Sequence, residues 1–213
     1  MVQKDSVHNS HVDKEAERKQ LKKVLFIGDS MTGWMAERME AYGIENGFEV
    51  TTVLWDGSTL AKWANSGKIA GLVAKYKPDL VCISLGMNEL LERNPETRLK
   101  GYLNKILTGI GSTPYLWVGP PSWPGKGKGE TLNTWLAGKL AAGCFFPSNS
   151  LTLTRQSKSN PHPTKAAIQG WIDGVVMFLN ESPAYDFKRL SMPKGVQMKR
   201  GKVFIYKKMT DSL

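Results

Sequence analysis

Five short apolar runs, most of them followed by a stretch with helical periodicity, constrain this 213-residue chain more than any other feature. Val24-Leu25-Phe26-Ile27-Gly28 is apolar throughout, as expected of a strand covered on both faces. Met31 to Asn46 follows as a helix, with Trp34, Met35, Met39 and Tyr42 at helical spacing and Gly47 as its stop. Phe48 to Leu54, Asp79 to Leu85, Tyr115 to Val118 and Cys144 to Phe146 read as four further strands. Ala61 to Tyr76 reads as a helix weakened by Gly67 and Gly71 and closed by Lys77-Pro78. Pro95 to Leu107 reads as the next, with Asn94 as N-cap and Pro95 in the first position. Thr131 to Ala142 and Thr164 to Leu179 complete the set, the last with Ala167, Ile168, Trp171, Val175 and Phe178 on one face. Strands alternating with helices imply right-handed crossovers, hence an α/β protein in three layers, α/β/α, around a five-stranded parallel sheet. In such sheets ligands bind beyond the carboxyl ends of the strands. Chemistry is therefore expected from the loops at 28–31, 54–60, 85–92, 119–129 and 148–163.

The net charge of +10 raises the question of an anionic partner. Its distribution argues against nucleic acid. Residues 1–23 carry six Lys/Arg against four Asp/Glu, residues 24–181 carry 15 against 13, and residues 182–213 carry eight against two. The middle is nearly balanced and the excess lies in the last 32 residues. Three segments are expected: a flexible polar lead-in at 1–22 with a helical stretch from Lys14 to Lys23, a catalytic domain at 23–182, and a basic extension at 183–213. In the extension, Gly195–Met198 and Lys202–Tyr206 flank Lys199-Arg200-Gly201, the pattern of a β-hairpin.

Two cysteines, Cys82 and Cys144, make no disulfide framework, and no Cys/His spacing suggests zinc, so neither a metal nor another cofactor is expected. No apolar stretch reaches the roughly 18 residues of a membrane span, so no integral membrane segment is expected. Residues 1–23 lack an apolar leader core. That fits a cytoplasmic chain and equally an exported one whose leader has been removed.

Three loop motifs carry chemistry. Gly28-Asp29-Ser30 follows the first strand and opens the first helix, which exposes the Ser30 hydroxyl at the sheet edge with its N–H at the positive helix end. A serine so placed can attack a carbonyl; Asp29 or Ser30 can also serve simply as a cap. Ser84-Leu85-Gly86-Met87-Asn88-Glu89 follows the third strand, where the Asn88 amide can donate to developing negative charge or mark a turn. Ser159-Asn160-Pro161-His162-Pro163-Thr164 precedes the last helix, and His162 is the sole histidine outside the lead-in. If Ser30 is a nucleophile it needs a base, and His162 is the available imidazole.

Taken in order, these motifs resemble those of the SGNH hydrolases, also called the GDSL esterase/lipase family. Lys23 to Ser30 is similar to the family's first block, Asp56-Gly57-Ser58-Thr59 to the second, Ser84 to Glu89 to the third and His162-Pro163-Thr164 to the end of the last. The resemblance spans residues 23–180 and implies a flavodoxin-like sheet, the SGNH hydrolase fold. It implies Ser30 as nucleophile, His162 as base, and Ser30, Gly57 and Asn88 as the oxyanion hole. Two departures stand out. The family places Asp three residues before the histidine, where this chain has Ser159, and its Asn-Asp is here Asn88-Glu89. Three consequences stay open: a Ser–His dyad oriented by a backbone carbonyl or the Ser159 hydroxyl, a carboxylate from Glu89 or Asp56, or a weak or inactive enzyme.

The resemblance also implies the reaction: hydrolysis of a short acyl ester, acetyl foremost, on a small molecule or glycan. Trp34, Trp55, Trp63 and Trp123 lie at or near the strand-to-helix edge, where flat rings suit sugars. Trp123, in a polar Gly/Pro loop, is the best candidate platform, and Asp29 is a second candidate substrate contact. An O-acetyltransferase on the same fold and a non-catalytic carbohydrate binder are the alternatives.

Overall fold

The computed structural model describes residues 18–160, 162–194 and 202–206. Among them the elements run β1 (Lys23–Gly28), α1 (Thr32–Asn46), β2 (Glu49–Trp55), α2 (Leu60–Ser66), α3 (Lys68–Tyr76), β3 (Leu80–Ser84), α4 (Pro95–Ile110), β4 (Tyr115–Val118), α5 (Glu130–Lys139), β5 (Phe145–Phe146), α6 (Lys165–Glu181) and β6 (Lys202–Tyr206). Short 3₁₀ turns at Met87–Glu89 and Ser148–Ser150 follow β3 and β5. The sheet order is β5-β4-β3-β1-β2-β6, and every pairing is parallel. The five-stranded core expected from the alternation is present, with β6 added at the β2 edge.

The continuous apolar runs follow from burial on both faces. On β1, Val24 and Phe26 enter one core with Met35, Tyr42, Trp171 and Val175 of α1 and α6. Leu25 and Ile27 enter the other, with Trp63, Leu103, Ile106 and Leu136 of α2, α4 and α5. Period-2 alternation thus feeds two apolar layers. Burying each large side chain contributes roughly 1.5–3 kcal/mol.

Element ends have local causes. Gly47 ends α1 at φ 75, and Thr164 caps α6 through Oγ1, which accepts from the Ala167 N–H at 3.2 Å. The single helix expected over 61–76 is two helices, because Gly67 adopts φ 65, outside the range for helix propagation. Asn94 sits at the N-cap of α4 but its side chain makes no capping bond; its own N–H goes to Glu92 Oε1 at 2.9 Å.

The expected segment boundaries are only partly those of the structure. Residues 18–22 are not helical: Lys19 bridges in parallel to Phe187, and Leu21 is buried. Residue 182 is no break either. The Tyr185 hydroxyl donates to the Tyr115 carbonyl at 2.8 Å, and Asn180 exchanges two hydrogen bonds with the Leu190 backbone. Of the expected hairpin, Gly195–Met198 lies outside the described residues. Lys202–Tyr206 is a strand, but it pairs in parallel with β2, Thr51 opposite Lys202 through Trp55 opposite Tyr206, and Phe204 stacks on Tyr76 at 6.3 Å. Both cysteines are buried and unpaired, and burial pushes the Cys82 thiol up to about 12.

A buried ion pair ties the two helices of the first layer. Arg38 of α1 is 1% exposed, its Nε donates to Asp173 Oδ1 of α6 at 2.8 Å, and the Tyr42 hydroxyl donates to the same oxygen at 2.9 Å. Removing one partner strands a buried charge. Asp173→Ala is expected to lower unfolding free energy by about 3–5 kcal/mol in urea titrations; a loss below 1 kcal/mol would show that the pair is effectively solvated.

Candidate active site

The order β3-β1-β2 places the loops after these three strands side by side at one sheet edge, and the chain reverses its direction of travel across the sheet at the β1/β3 boundary. Gly28 ends β1 where no side chain fits: a Cβ there would collide with Thr32 Oγ1 and the Ser84 carbonyl. The turn that follows lifts Ser30 into solvent while Asp29 beneath it is 1% exposed. Asp29 Oδ1 accepts from the Met31 N–H at 3.0 Å, so of the two candidate caps Asp29 holds the turn and the exposed Ser30 stays outside it. Asp29 therefore cannot touch substrate directly, contrary to its assignment as a substrate contact.

The loops after β2 and β3 are joined to each other. Gly57 turns at φ 63, and the Asn88 amide donates to the Ser58 carbonyl at 2.7 Å. Glu89 Oε1 accepts from the Leu60 N–H at 2.6 Å. One of the two Asn88 amide hydrogens remains for another acceptor.

Two carboxyls under these loops are shifted upward. Burial pushes Asp29 up to about 7, opposed by the Met31 and Met87 N–H groups and reinforced by the Asp56 charge. Burial likewise pushes Glu89 up to about 7, opposed by the Leu60 N–H and reinforced by Asp29. Asp29 Oδ2 and Glu89 Oε2 are buried without a hydrogen bond. The Met87 N–H thus approaches the Asp29 carboxyl without completing one.

His162 reaches the same edge from the loop before α6. Ser30 and His162 line one cavity of about 220 Å³, walled by Met31, Trp34, Pro163 and Ile168. The His162 ring is oriented by Asn160, whose Oδ1 lies 2.8 Å from Nδ1. A chain of bonds determines the proton's position. The Pro163 carbonyl can only accept, so Gln156 presents Nε2 to it at 3.4 Å; Gln156 Oε1 then accepts from Asn160 Nδ2 at 3.0 Å. Asn160 is left with Oδ1 toward the ring. Nδ1 therefore carries the hydrogen, and Nε2 of the neutral ring carries the lone pair.

Ser159, expected as the orienting hydroxyl, instead pairs with the Ser157 hydroxyl at 3.1 Å. The turn in which the Asn160 N–H donates to Ser157 Oγ brings Asn160 to the ring in its place. Glu89 and Asp56 are not the partner: Nδ1 is taken by Asn160, Glu89 holds Leu60, and Asp56 is exposed. Asn160 carried no sequence signal beyond its place two residues before the histidine.

Of the four tryptophans, Trp55 and Trp63 are core residues, packed edge to face at 5.6 Å. Trp34 is a cavity wall. Trp123 meets the His162 ring edge-on at 5.4 Å and lines a second cleft of about 440 Å³ with Ser122, Lys128, Asn149 and Arg155. The Arg155 guanidinium lies 5.7 Å from the Trp123 ring centroid and donates to the Ser122 carbonyl. An exposed hydroxyl and an imidazole with a directed lone pair, lining one cavity, are components of acyl transfer through a serine; Asn88 lines a separate cleft with Met87 and Glu89.

This fold is that of the SGNH hydrolases. Its similarity is shown by solved structures that differ widely in sequence. A family 3 carbohydrate esterase of Clostridium thermocellum aligns at 19% identity and TM-score 0.55, over 75% of this chain and 94% of that one. The psychrotrophic esterase EstA of a Pseudoalteromonas species aligns at 20% and 0.52, over 75% and 100%. A protein described as a lipolytic member of the G-D-S-L family, from Desulfitobacterium hafniense, aligns at 17% and 0.53, over 74% and 99%. No family model and no curated protein matches the sequence.

Proposed function

We propose that this protein is a serine esterase that removes short acyl groups, acetyl foremost, from carbohydrate esters. The observation that carries this reading is the shared cavity of Ser30 and His162 with the imidazole proton held on Nδ1. His162 Nε2 takes the Ser30 proton as Oγ attacks the ester carbonyl. The tetrahedral oxyanion is received by the Ser30 and Gly57 N–H groups and the second Asn88 amide hydrogen. The alcohol leaves with the proton from Nε2, and water, activated by the same nitrogen, releases the acid and restores Ser30. A similar constellation with asparagine as third member operates in papain-like proteases.

The size of the cavity supports a short acyl group. Pockets for drug-sized ligands start near 300 Å³, whereas this one is about 220 Å³. The larger polar cleft across Trp123 suits the sugar side of the ester. Trp123 contributes an edge and wall there, since Arg155 occupies space over its ring. The Pseudoalteromonas and Clostridium thermocellum neighbours are named as esterases, the latter as a carbohydrate esterase.

Acetate release from acetylated oligosaccharides, compared with release from long-chain acyl esters, tests the reading; a preference for the long chains would refute the short-acyl assignment. Asn88→Ala is expected to lower kcat by about 10²–10³ with little change in KM, the cost of one oxyanion donor. Unchanged kcat on any turned-over ester would remove Asn88 from the oxyanion hole.

A further inference from the structure

We propose that Glu89 is a positioning residue that clasps the Gly57 loop to the Asn88 turn, and that Glu89 and Asp29 together retain one proton near neutrality, which keeps a second negative charge from beneath the site. This inference rests on the esterase reading for its meaning but not for its test.

The geometry points to the clasp. Two consecutive residues of one turn grip two nearby points of the loop after β2: Asn88 holds the Ser58 carbonyl at 2.7 Å and Glu89 holds the Leu60 N–H at 2.6 Å. Gly57 sits just before these points, at a positive φ and with open space around its Cα, so nothing on its own side chain fixes it. The Ser58 N–H closes the turn onto the Trp55 carbonyl at 3.0 Å, and the two anchors that follow hold that turn against the loop after β3. The Glu89 bond also adds an acceptor at the start of α2, where backbone N–H groups lack intrahelical partners.

The proton follows from the surroundings. Glu89 and Asp29 act on each other electrostatically, and each has one buried oxygen without a partner. Asp56, at the loop's outer face, adds a third negative charge that acts on Asp29. Among the described residues no Lys or Arg forms an ion pair with either carboxyl. Lys62 of α2 directs its Nζ to the Gly57 carbonyl at 2.9 Å, and Arg93 and Lys126 line the cleft outside the 87–89 turn with Glu92. Two buried like charges with no cation between them are costly, so near neutrality the pair keeps a proton. Loss of that proton places two anions under the loops that carry Ser30, Gly57 and Asn88. The ester's developing oxyanion then meets an added negative field.

Glu89→Gln provides the test, because the amide keeps an acceptor for Leu60 and cannot ionise. The first readout needs no activity. A carboxyl whose folded-state pKa is raised favours folding fully below its ordinary range near 4.5, and that contribution is lost as pH rises to about 7. The urea midpoint of the wild type should fall over this window, and Glu89→Gln should fall less. Equal pH slopes in the two proteins would overturn the proposal. The second readout is kcat/KM for p-nitrophenyl acetate. The wild type should lose about tenfold or more between its maximum and pH 9, on an alkaline limb that begins as pH rises through about 7, while Glu89→Gln should stay within about twofold of its own maximum. An alkaline limb shared by both proteins would also overturn it. Glu89→Ala, which loses the acceptor as well, should lower kcat about tenfold or more at every pH with KM little changed. If the urea difference appears but neither protein turns over an ester or reacts with a fluorophosphonate, the clasp stands and the esterase reading falls.

Discussion

Ser30→Ala is expected to reduce ester hydrolysis by about 10⁴-fold or more, leaving only what binding and the oxyanion donors can do without a nucleophile. Stability should change by less than about 0.5 kcal/mol, because Ser30 is exposed and outside the cores. That combination separates a chemical role from a structural one. The same turn contains residues that would fail differently: Gly28 has no room for a Cβ and Asp29 is buried, so changes there should act on folding before chemistry. Covalent labelling gives a parallel result. A fluorophosphonate should modify the wild type once, at Ser30, and should not modify Ser30→Ala. Retention of a tenth of the activity by the folded variant would refute Ser30 as nucleophile. Folded wild type that resists labelling and hydrolyses no ester would favour the non-catalytic binder instead.

The β/α alternation was legible because a strand buried on both faces and an amphipathic helix carry different periods, 2 and 3.6. That the loops bearing Ser30, Gly57 and Asn88 share one sheet edge was legible because each follows a strand of one parallel sheet, and the sheet order brings those loops together; Gly57 itself stood out only through the resemblance. β6 was legible as a strand but not as a parallel one: alternation along Lys202–Tyr206 says nothing about which edge it joins or in which direction. The four tryptophans could not be divided into wall and core, since burial of Trp55 and Trp63 depends on α2 and α4 closing over the sheet. Ser159 drew attention by occupying a position where relatives carry aspartate, yet the Ser157–Asn160 turn carries it away from the ring. The role of Glu89 was hidden for the same kind of reason, because its partner Leu60 lies 29 residues away.

Asn160→Leu is expected to lower kcat by about 10³-fold, approaching the roughly 10⁴ that a wrongly held imidazole costs in a serine protease. The Pro163 carbonyl orients Gln156, which orients Asn160, which leaves the hydrogen on Nδ1 of His162. Leucine removes the last acceptor, so the ring is free to rotate and to carry its hydrogen on Nε2, where it cannot accept the Ser30 proton. KM should change less than kcat, because Asn160 acts through the base. Gln156→Leu tests the network one step further out. It leaves Asn160 in place but frees its amide to turn over, and a loss of about tenfold is expected from the fraction presenting Nδ2 to the ring. Asn160→Asp should act in the opposite sense at high pH. A carboxylate beside Nδ1–H stabilises the imidazolium formed in the transition state, so turnover near pH 9 should be at least that of the wild type. The same charge favours the protonated ring at rest, so the acid limb of kcat/KM should move to higher pH and activity near pH 6 should fall. Wild-type turnover in Asn160→Leu would mean that His162 needs no orienting partner. An unmoved acid limb in Asn160→Asp would mean that residue 160 does not touch the base at all.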